Sequence, residues 1–432
     1  MMSLSTTFLK SIDKVGNDWY KGMFGPFTGG HVPMNGSSVQ RIKDSNRKKI
    51  LGLLMEKREM SKQQVAQEAG LSIPTVTINV ARLLKQGIVE EAGVSASTGG
   101  RKPMMIRFLP NSRYSFGVDF SSNHLTSSSL IRVILVNLDA EMQEESTFEY
   151  RDFSSVSQIM AHVKKLTEKI LSKRRIPREL VMGIGFSLPG TVNEGKLILE
   201  QAPNLPPDLG MNALDFKKYR ALFPFPIFIE NEANAAAYAE LLLGIARRKR
   251  NLVFLSINRG IGAGIVVRGH VYKGSNKRAG TVGHVTIESK GIRCTCGRKD
   301  CWEIYAASGA LIRNYRKVSG RKLKDTQQFH SLLGSADPVA LQVWDAYLEY
   351  LAIGINNIIL SLDPHYLIIG GEISEFGDQL LEPLRAKVFE QNTFYKRDDL
   401  EIVMSRLKQD ASILGVALLP FHALLRRDAK VI

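Results

Sequence analysis

Cys294, Cys296 and Cys301 are all the thiols of a 432-residue chain, and they fall inside one stretch, GIRCTCGRKDCWE. In a reducing compartment a C-x-C-x4-C spacing suits a metal better than a disulfide, since three thiolates fill three corners of the tetrahedron that zinc prefers. A fourth soft or borderline ligand is then needed, and His284 lies ten residues upstream, within reach of a loop closure. Four protein ligands leave no open position, so the expected ion is structural zinc.

A second group of residues has the chemistry of base recognition. In LSIPTVTINVARLLKQG, Ser72 can cap a helix and Pro74 fits its first turn. Val76, Val80 and Leu83 repeat at helical spacing and should face a core, leaving Ile73, Thr75, Thr77, Ile78 and Asn79 outward near the N-terminal half. Thr and Asn can hydrogen-bond base edges, and Ile can touch thymine methyls. After Gly87, IVEEAGVSASTGGRKPMMIRFLP reads as two short strands around a basic, glycine-rich tip. There Arg101 and Lys102 can enter a minor groove.

These residues need elements to position them. SNRKKILGLLMEK reads as a helix capped by Ser45, and SKQQVAQEAG as a second, opened by Ser61 and closed by Gly70. Helix, turn, helix and wing form a DNA-binding module. Charge agrees. Residues 1–110 hold 16 Lys and Arg against 8 Asp and Glu, half of the net +16 in a quarter of the chain. That asymmetry suits a polyanionic partner, although solubility alone would also explain a basic chain. Residues 1–40 read as an arm and linker. They carry an amphipathic piece (Phe8, Ile12, Val15, Trp19) followed by a Gly/Pro-rich stretch whose purpose the sequence does not reveal. Length implies about three domains. No apolar run approaches a membrane span, and the N-terminus lacks the layout of a secretory signal, so a cytoplasmic protein with no membrane partner is expected.

From Tyr114 onward, strand-like runs (YSFGVDF, LIRVILVNLD, VMGIGFSLPG, FPIFIENEAN, NLVFLSINRG, YLIIGGEIS, LEIVMS) alternate with helical stretches, notably 338–362. Alternation of this kind argues for α/β layers, with ligands at the carboxyl ends of strands. Glycines cluster at several of those ends, in SLPGTV, NRGIGAG and IIGGE. They suit close backbone approach to a phosphate or sugar, although each loop taken alone reads better as an ordinary tight turn.

Six motifs in order, SLPGTV, IENEANAAAYAE, INRGIGAGIVVRGHVYKGSNKRAGTVGHV, CTCGRKDCWE, LIIGGEIS and ASILGVALL, make residues 114–425 resemble the ROK family of sugar kinases and sugar-responsive repressors. The preceding module, with SNRKKIL and STGGRKP, resembles the family's repressor branch of the xylose and N-acetylglucosamine type. The resemblance implies a winged helix-turn-helix followed by a two-lobed actin-like (RNase H-like) sugar-kinase fold. The expected division is an arm at 1–40, a DNA-binding domain at 41–112, lobe 1 at 113–235 completed by a C-terminal helix at 410–432, and lobe 2 with the zinc loop at 236–409. It implies zinc held by His284, Cys294, Cys296 and Cys301, a homodimer or homotetramer, and sugar contacts from Asn231, Glu232, His284 and Glu303, with Thr281 a weaker candidate.

Three departures bear on catalysis. Kinases of the family use an Asp base in N-D-x-N-A-A-A, whereas this chain has NEANAAA, with Glu232 there. The extra methylene moves the carboxylate by about 1 Å, a misplacement that can cost on the order of 100-fold in rate. Asp119 is followed by FSSNHLTSSS where the family has the glycines of its first phosphate loop, and Thr281 replaces the glutamate of E-x-G-H. GIGAG, the second phosphate loop, is intact, though packing alone could retain it. These features point to a non-enzymatic DNA-binding regulator, a repressor released from its double-stranded operator by a sugar or sugar phosphate. An ATP-dependent sugar kinase, alone or bifunctional, and a ligand-independent DNA-binding protein with a vestigial cleft are the competing readings.

Overall fold

The computed structural model describes residues 38–94, 103–120, 130–202, 212–246, 249–390 and 394–421. The N-terminal arm and the wing tip with Arg101 and Lys102 lie outside these.

The first helix, α1, spans Ser38–Lys57. It does not begin at Ser45, because Gln40, Arg41, Ile42 and Lys43 all tolerate helix well and nothing in the chain stops the first turns from forming upstream. Strand β1 (Glu59–Ser61) leads into α2 (Lys62–Ala69), whose capping box joins Ser61 and Gln64 and whose end is turned by Gly70 at φ 62°. Helix α3 (Ile73–Lys85) starts on Ser72, whose hydroxyl accepts from the Thr75 N–H. The wing strands β2 (Val89–Val94) and β3 (Met104–Phe108) pair antiparallel, and β1 adds to β3. At three residues β1 is too short to show a strand period in sequence.

Two five-stranded sheets make up the body. The first takes β4 (Tyr114–Asp119), β5 (Leu130–Asn137), β6 (Met142–Glu149), β7 (Val181–Leu188) and β11 (Ile227–Asn231), with helix α4 (Val156–Arg174) between β6 and β7. A small sheet of β8 (Thr191–Asn193), β9 (Ile198–Gln201) and β10 (Leu214–Asp215) precedes β11. Helix α5 (Glu232–Leu242) leads to the second sheet, of β12 (Leu252–Ile257), β13 (Ile261–Val267), β14 (His270–Tyr272), β15 (Tyr366–Gly370) and β16 (Glu401–Met404). Helices α6 (Trp302–Ala306), α7 (Ser308–Ser319), α8 (Thr326–Gly334) and α9 (Pro338–Leu362) enter between β14 and β15, and α10 (Asp378–Glu390) between β15 and β16. The sheet orders β11-β7-β4-β5-β6 and β14-β13-β12-β15-β16 are one topology used twice: an antiparallel three-strand meander whose first strand pairs in parallel with a later strand, which pairs in parallel with the last.

Helix α11 (Ala411–Leu418) and α5 pack against each other between the sheets, α11 on β4 and β7, α5 on β12 and β13. Glycine permits the approach: a Cβ at Gly185 would sit 2.1 Å from the Val416 carbonyl oxygen, and one at Gly264 2.1 Å from that of Ala233. Gly262 and Gly264 belong to strand β13, and Gly264 makes room for α5. Among the described residues no helix is long and apolar enough to cross a membrane.

The head sits on the β5–β6 turn. Leu109 N–H donates to Ile88 (2.9 Å) and Leu138 N–H to Pro110 (3.0 Å), while the Arg58 guanidinium reaches Asp139. Burial raises the Asp139 carboxyl from its ordinary 3.8 to about 6, and Arg58 offsets only part of that. A raised carboxyl pKa means the folded state holds a proton the unfolded chain has lost, so this group's contribution to stability falls as pH rises from about 4 to about 6 and is constant above. Asp139→Asn should remove that slope. In urea melts, the variant should gain on the wild type by on the order of 2 kcal/mol between pH 4 and 6.5 and no further above.

Candidate ligand cleft and metal centre

A cavity of about 690 Å³ opens between the sheets, lined by all five predicted sugar contacts, Asn231, Glu232, Thr281, His284 and Glu303. Strand β11 delivers Asn231 to its edge, and the chain turns there into α5. The Asn231 side-chain oxygen caps the helix, accepting from the Ala233 (3.0 Å) and Asn234 (3.1 Å) N–H groups, while its Nδ2 donates to the Gly190 carbonyl at 2.9 Å. Glu232 follows as the first helical residue, where the positive end of the helix favours its carboxylate. It is half-buried and faces the cleft.

The opposite wall is the loop after β14. Gly280 and Gly283 lie so close to β13 that a Cβ on either would meet a backbone oxygen, Ala263 at 1.9 Å and Ile261 at 2.2 Å. This presses the turn at Val282–His284 onto the sheet and raises His284 beside the cleft. Thr281 is exposed, and its hydroxyl donates to the Arg278 carbonyl at 2.6 Å, so its proton is engaged within the loop while its lone pairs stay open to the cleft.

His284, Cys294, Cys296 and Cys301 converge, with ligand atoms all within 4.8 Å of one another. Zinc with bonds of about 2.3 Å to sulfur and about 2.05 Å to nitrogen needs tetrahedral edges of about 3.8 Å between sulfurs and about 3.6 Å between nitrogen and sulfur. Cys296 and Cys301 are 3.7 Å apart, and His284 Nδ1 is 3.6 Å from Cys294. Two edges of the cluster therefore already match a tetrahedral ion, and the remaining ligand atoms lie within 4.8 Å of one another. The loop is held by its own bonds: the Cys294 carbonyl accepts from Gly297 (3.0 Å), and the Asp300 carboxylate takes the Gly291 (2.6 Å) and Ile292 (3.0 Å) N–H groups and the Tyr305 hydroxyl (2.6 Å). Tyr305 is the main cause holding the Asp300 carboxyl below its ordinary value. Burial pushes the Cys294 thiol up, and its proton is donated to Glu303 at 3.0 Å; a bound dication would reverse this and favour the thiolate. Glu303 also lies 3.3 Å from His284 Nδ1, so one carboxylate borders both the metal cluster and the cleft.

A second cavity, of about 40 Å³, adjoins Glu232 on the side of Asp119 and Gly371. Asp119 is buried and accepts from the Ser412 hydroxyl at 2.8 Å. Glu372 is engaged by Ser308 and Thr326.

On the head, Ile73 and Ile78 are 51% and 58% exposed, and Thr77 is also open. Thr75 is half-buried, its hydroxyl 2.9 Å from that of Ser72. Asn79 does not face outward. It stands three residues after Val76 and four before Leu83, inside the apolar stripe, is 7% exposed, and donates to the Thr75 carbonyl at 2.8 Å. Arg101 and Lys102 lie outside the described residues. Sequence reasoning passed over Lys85, exposed two turns beyond Ile78 on the same face, and the cleft residues Glu200, Gln201, Asn258, Arg259 and Lys277. Helical spacing could have found Lys85. The isolated polar residues of the cleft carry no local signal.

The ROK family profile matches residues 128–422, and a profile described as winged helix-turn-helix DNA-binding matches 43–90. The xylose repressor of Bacillus subtilis is 29% identical over 379 residues, covering 87% of this chain and 94% of that protein. The DNA-binding transcriptional dual regulator NagC of Escherichia coli is 25% identical over 389 residues, covering 88% and 93%. Among solved structures, a ROK family transcriptional regulator homologous to the E. coli MLC protein superposes with a TM-score of 0.74 at 24% identity, over 89% of this chain and 97% of that one. A ROK family glucokinase from Streptomyces griseus, solved with glucose and AMPPNP, has the same body fold (TM-score 0.58, 20% identity, 70% and 98% coverage). The two-sheet body and the module ahead of it thus have their counterpart in known folds: this chain belongs to the ROK family and carries a winged helix-turn-helix ahead of the family body.

Proposed function

We propose that the protein is a sugar-responsive, DNA-binding transcriptional regulator, a repressor of carbohydrate uptake or catabolism genes that a sugar or sugar phosphate releases from its operator. One observation carries this reading: an outward-facing recognition helix is joined to a body that keeps a 690 Å³ cleft while the adjoining crevice holds only 40 Å³. A polyol fits the first. The second, where Asp119 is bonded to Ser412, is far narrower. Relatives named as a xylose repressor and as a DNA-binding transcriptional dual regulator support the same conclusion. In this reading the chain has no kinase activity, acts in the cytoplasm as a homodimer or homotetramer, and divides near 112/113 and 235/236, with α11 returning to the first lobe.

Ile73, Thr75, Thr77 and Ile78, with Arg101 and Lys102 on the wing, are assigned to DNA. Asn79 is assigned to holding the helix. Asn231, Glu232, His284 and Glu303 are assigned to the effector, and Thr281 to shaping the loop beside them. His284, Cys294, Cys296 and Cys301 would hold zinc, which when bound fixes the loop carrying Glu303 as a structural ion.

Genome-wide mapping of bound sites, followed by mobility shifts with and without candidate sugars, tests the reading. Specific duplex binding relieved by a sugar is expected, with no turnover of ATP and hexose; hexose phosphorylation at ordinary enzyme rates without duplex binding would overturn it. On the operator so found, Thr77→Ala should cost about 1–3 kcal/mol and relax sequence preference, whereas Lys102→Ala should weaken all duplexes alike and lower the salt slope by about one.

The metal assignment has its own measurement. Elemental analysis should return one zinc per chain. Cys296→Ser, at the exposed corner of the cluster, should lose the metal, lower the melting temperature and weaken the response to sugar, leaving the head's affinity for DNA near that of the wild type.

A further inference from the structure

Beneath the cleft runs a line of alternating charges that none of the assignments above uses. Glu230, one residue before Asn231 at the end of β11, is 1% exposed, and Lys273, just past β14, is 4% exposed. The Lys273 ammonium donates to Glu230 Oε2 at 2.5 Å and lies 3.1 Å from Glu194, in the β8–β9 turn. Glu194 in turn accepts from Lys277 at 3.0 Å, and Lys277 lines the cleft. At the other end, Glu230 Oε1 accepts from the Asn231 N–H (2.9 Å) and from Asn234 Nδ2 (3.3 Å), and both asparagines line the cleft. The walls of the cleft are therefore joined underneath by Glu230, Lys273, Glu194 and Lys277, drawn alternately from the first sheet's side and the second's.

Stability does not account for this arrangement. Taking an ammonium and its carboxylates out of water costs several kcal/mol per ion, and well-packed apolar residues of similar volume commonly do as well or better. The line is also left incomplete: Glu194 Oε2 is buried and has no hydrogen-bond partner among the described residues, although Oε1 serves two lysines. Such a line specifies one relative placement of the two walls, and a shift of either wall changes the bonding of the same ammonium.

We infer that Lys273 is a positioning residue of the effector site: it holds the Asn231–Asn234 wall and the Lys277 loop in register and carries effector binding from one lobe to the other. This rests on the regulator reading above. A residue that merely supports the fold would lower the melting temperature equally with and without sugar, whereas a positioning residue changes the sugar-dependent increment.

The experiment uses full-length protein and the operator found by genome-wide mapping. Xylose, glucose, N-acetylglucosamine and their phosphate esters serve as probes in thermal shift and in operator release. Lys273→Met should bind operator in the absence of sugar as the wild type does, but need about 5- to 100-fold more of the active probe for release, with a reduced thermal increment. Lys273→Arg should recover most of the response. Glu194→Gln keeps the shape and one acceptor and should show a smaller loss, which answers the question even if Lys273→Met does not fold. An unchanged increment and an unchanged release concentration in either Lys273→Met or Glu194→Gln, with only a lower sugar-free melting temperature, would make the line structural and sink the inference. Should no probe act on the wild type, the effector reading itself fails, and this inference with it.

Discussion

The fit of α5 between β13 and α11 is the contact from which the cleft derives. Ala233, Ala235, Ala236, Ala237 and Ala239 are buried along this helix, and its neighbours meet it through glycine: Gly264 on the strand, Gly415 on the facing helix, where a Cβ would come within 1.9 Å of the Ala235 carbonyl oxygen. Helices this close move only as a pair, since an interior packed to crystal density has no slack for one of them to slide. The N-terminus of α5 is therefore a fixed point, and Asn231 and Glu232 at that end present the same geometry to whatever enters the cleft. The wall carrying Gly280 and His284 is pressed onto the same strand, β13, from its other end. Both sides of the cleft are thus referred to a single β-strand and helix.

Much of this was legible in the sequence, and the parts that were not have physical reasons. The capped helices of the head, the wing strands, most strands of the body and the three cysteines with His284 were visible because caps, alternation and ligand spacing are local patterns. Gly264 of GIGAG was legible as a glycine but not as strand, because its reason is the approach of α5, more than twenty residues away in the chain. Asn79 misled because a polar side chain on the apolar stripe of a short helix is satisfied by its own backbone, which a hydropathy reading does not register. Glu230, Lys273 and Glu194 carried no signal at all. Charged residues are expected at the surface, and only the folded chain brings these three together across separations of tens of residues.

The metal cluster and the cleft meet in Glu303, which lies in the first turn of α6 directly after the last cysteine. Its carboxylate faces a thiol on one side and an imidazole on the other, so its freedom to accept a hydrogen bond from a ligand depends on where the proton of Cys294 resides. An ion that takes the thiolate releases the carboxylate from the thiol's proton. The loop geometry, set by Asp300 and Tyr305, supplies the positions, and the charge of a bound ion would decide which acceptors stay available to the cleft.

How a change in the cleft would reach the head follows from the sheet itself. Strand β11 is one edge of the first sheet and β6 the other, and Asn231 stands at the same end of the strands as Asp119. The β5–β6 turn that carries Asp139 lies at the opposite end, since Tyr114, the first residue of β4, pairs with Asn137. Cleft and head thus occupy diagonal corners of one sheet, separated by four strand spacings in one direction and about six residues in the other, on the order of 25 Å. No chain of side-chain rearrangements is required over that distance. Hydrogen-bonded strands turn as a body, so a small rotation of the sheet about α5 and α11 would displace Asp139, where Arg58 and the backbone bonds of Leu109 and Leu138 would pass it to the head. In a symmetric dimer, whose two recognition helices must match half-sites about 34 Å apart, displacing each by even a fraction of a base-pair step is enough to lose one of the two grooves.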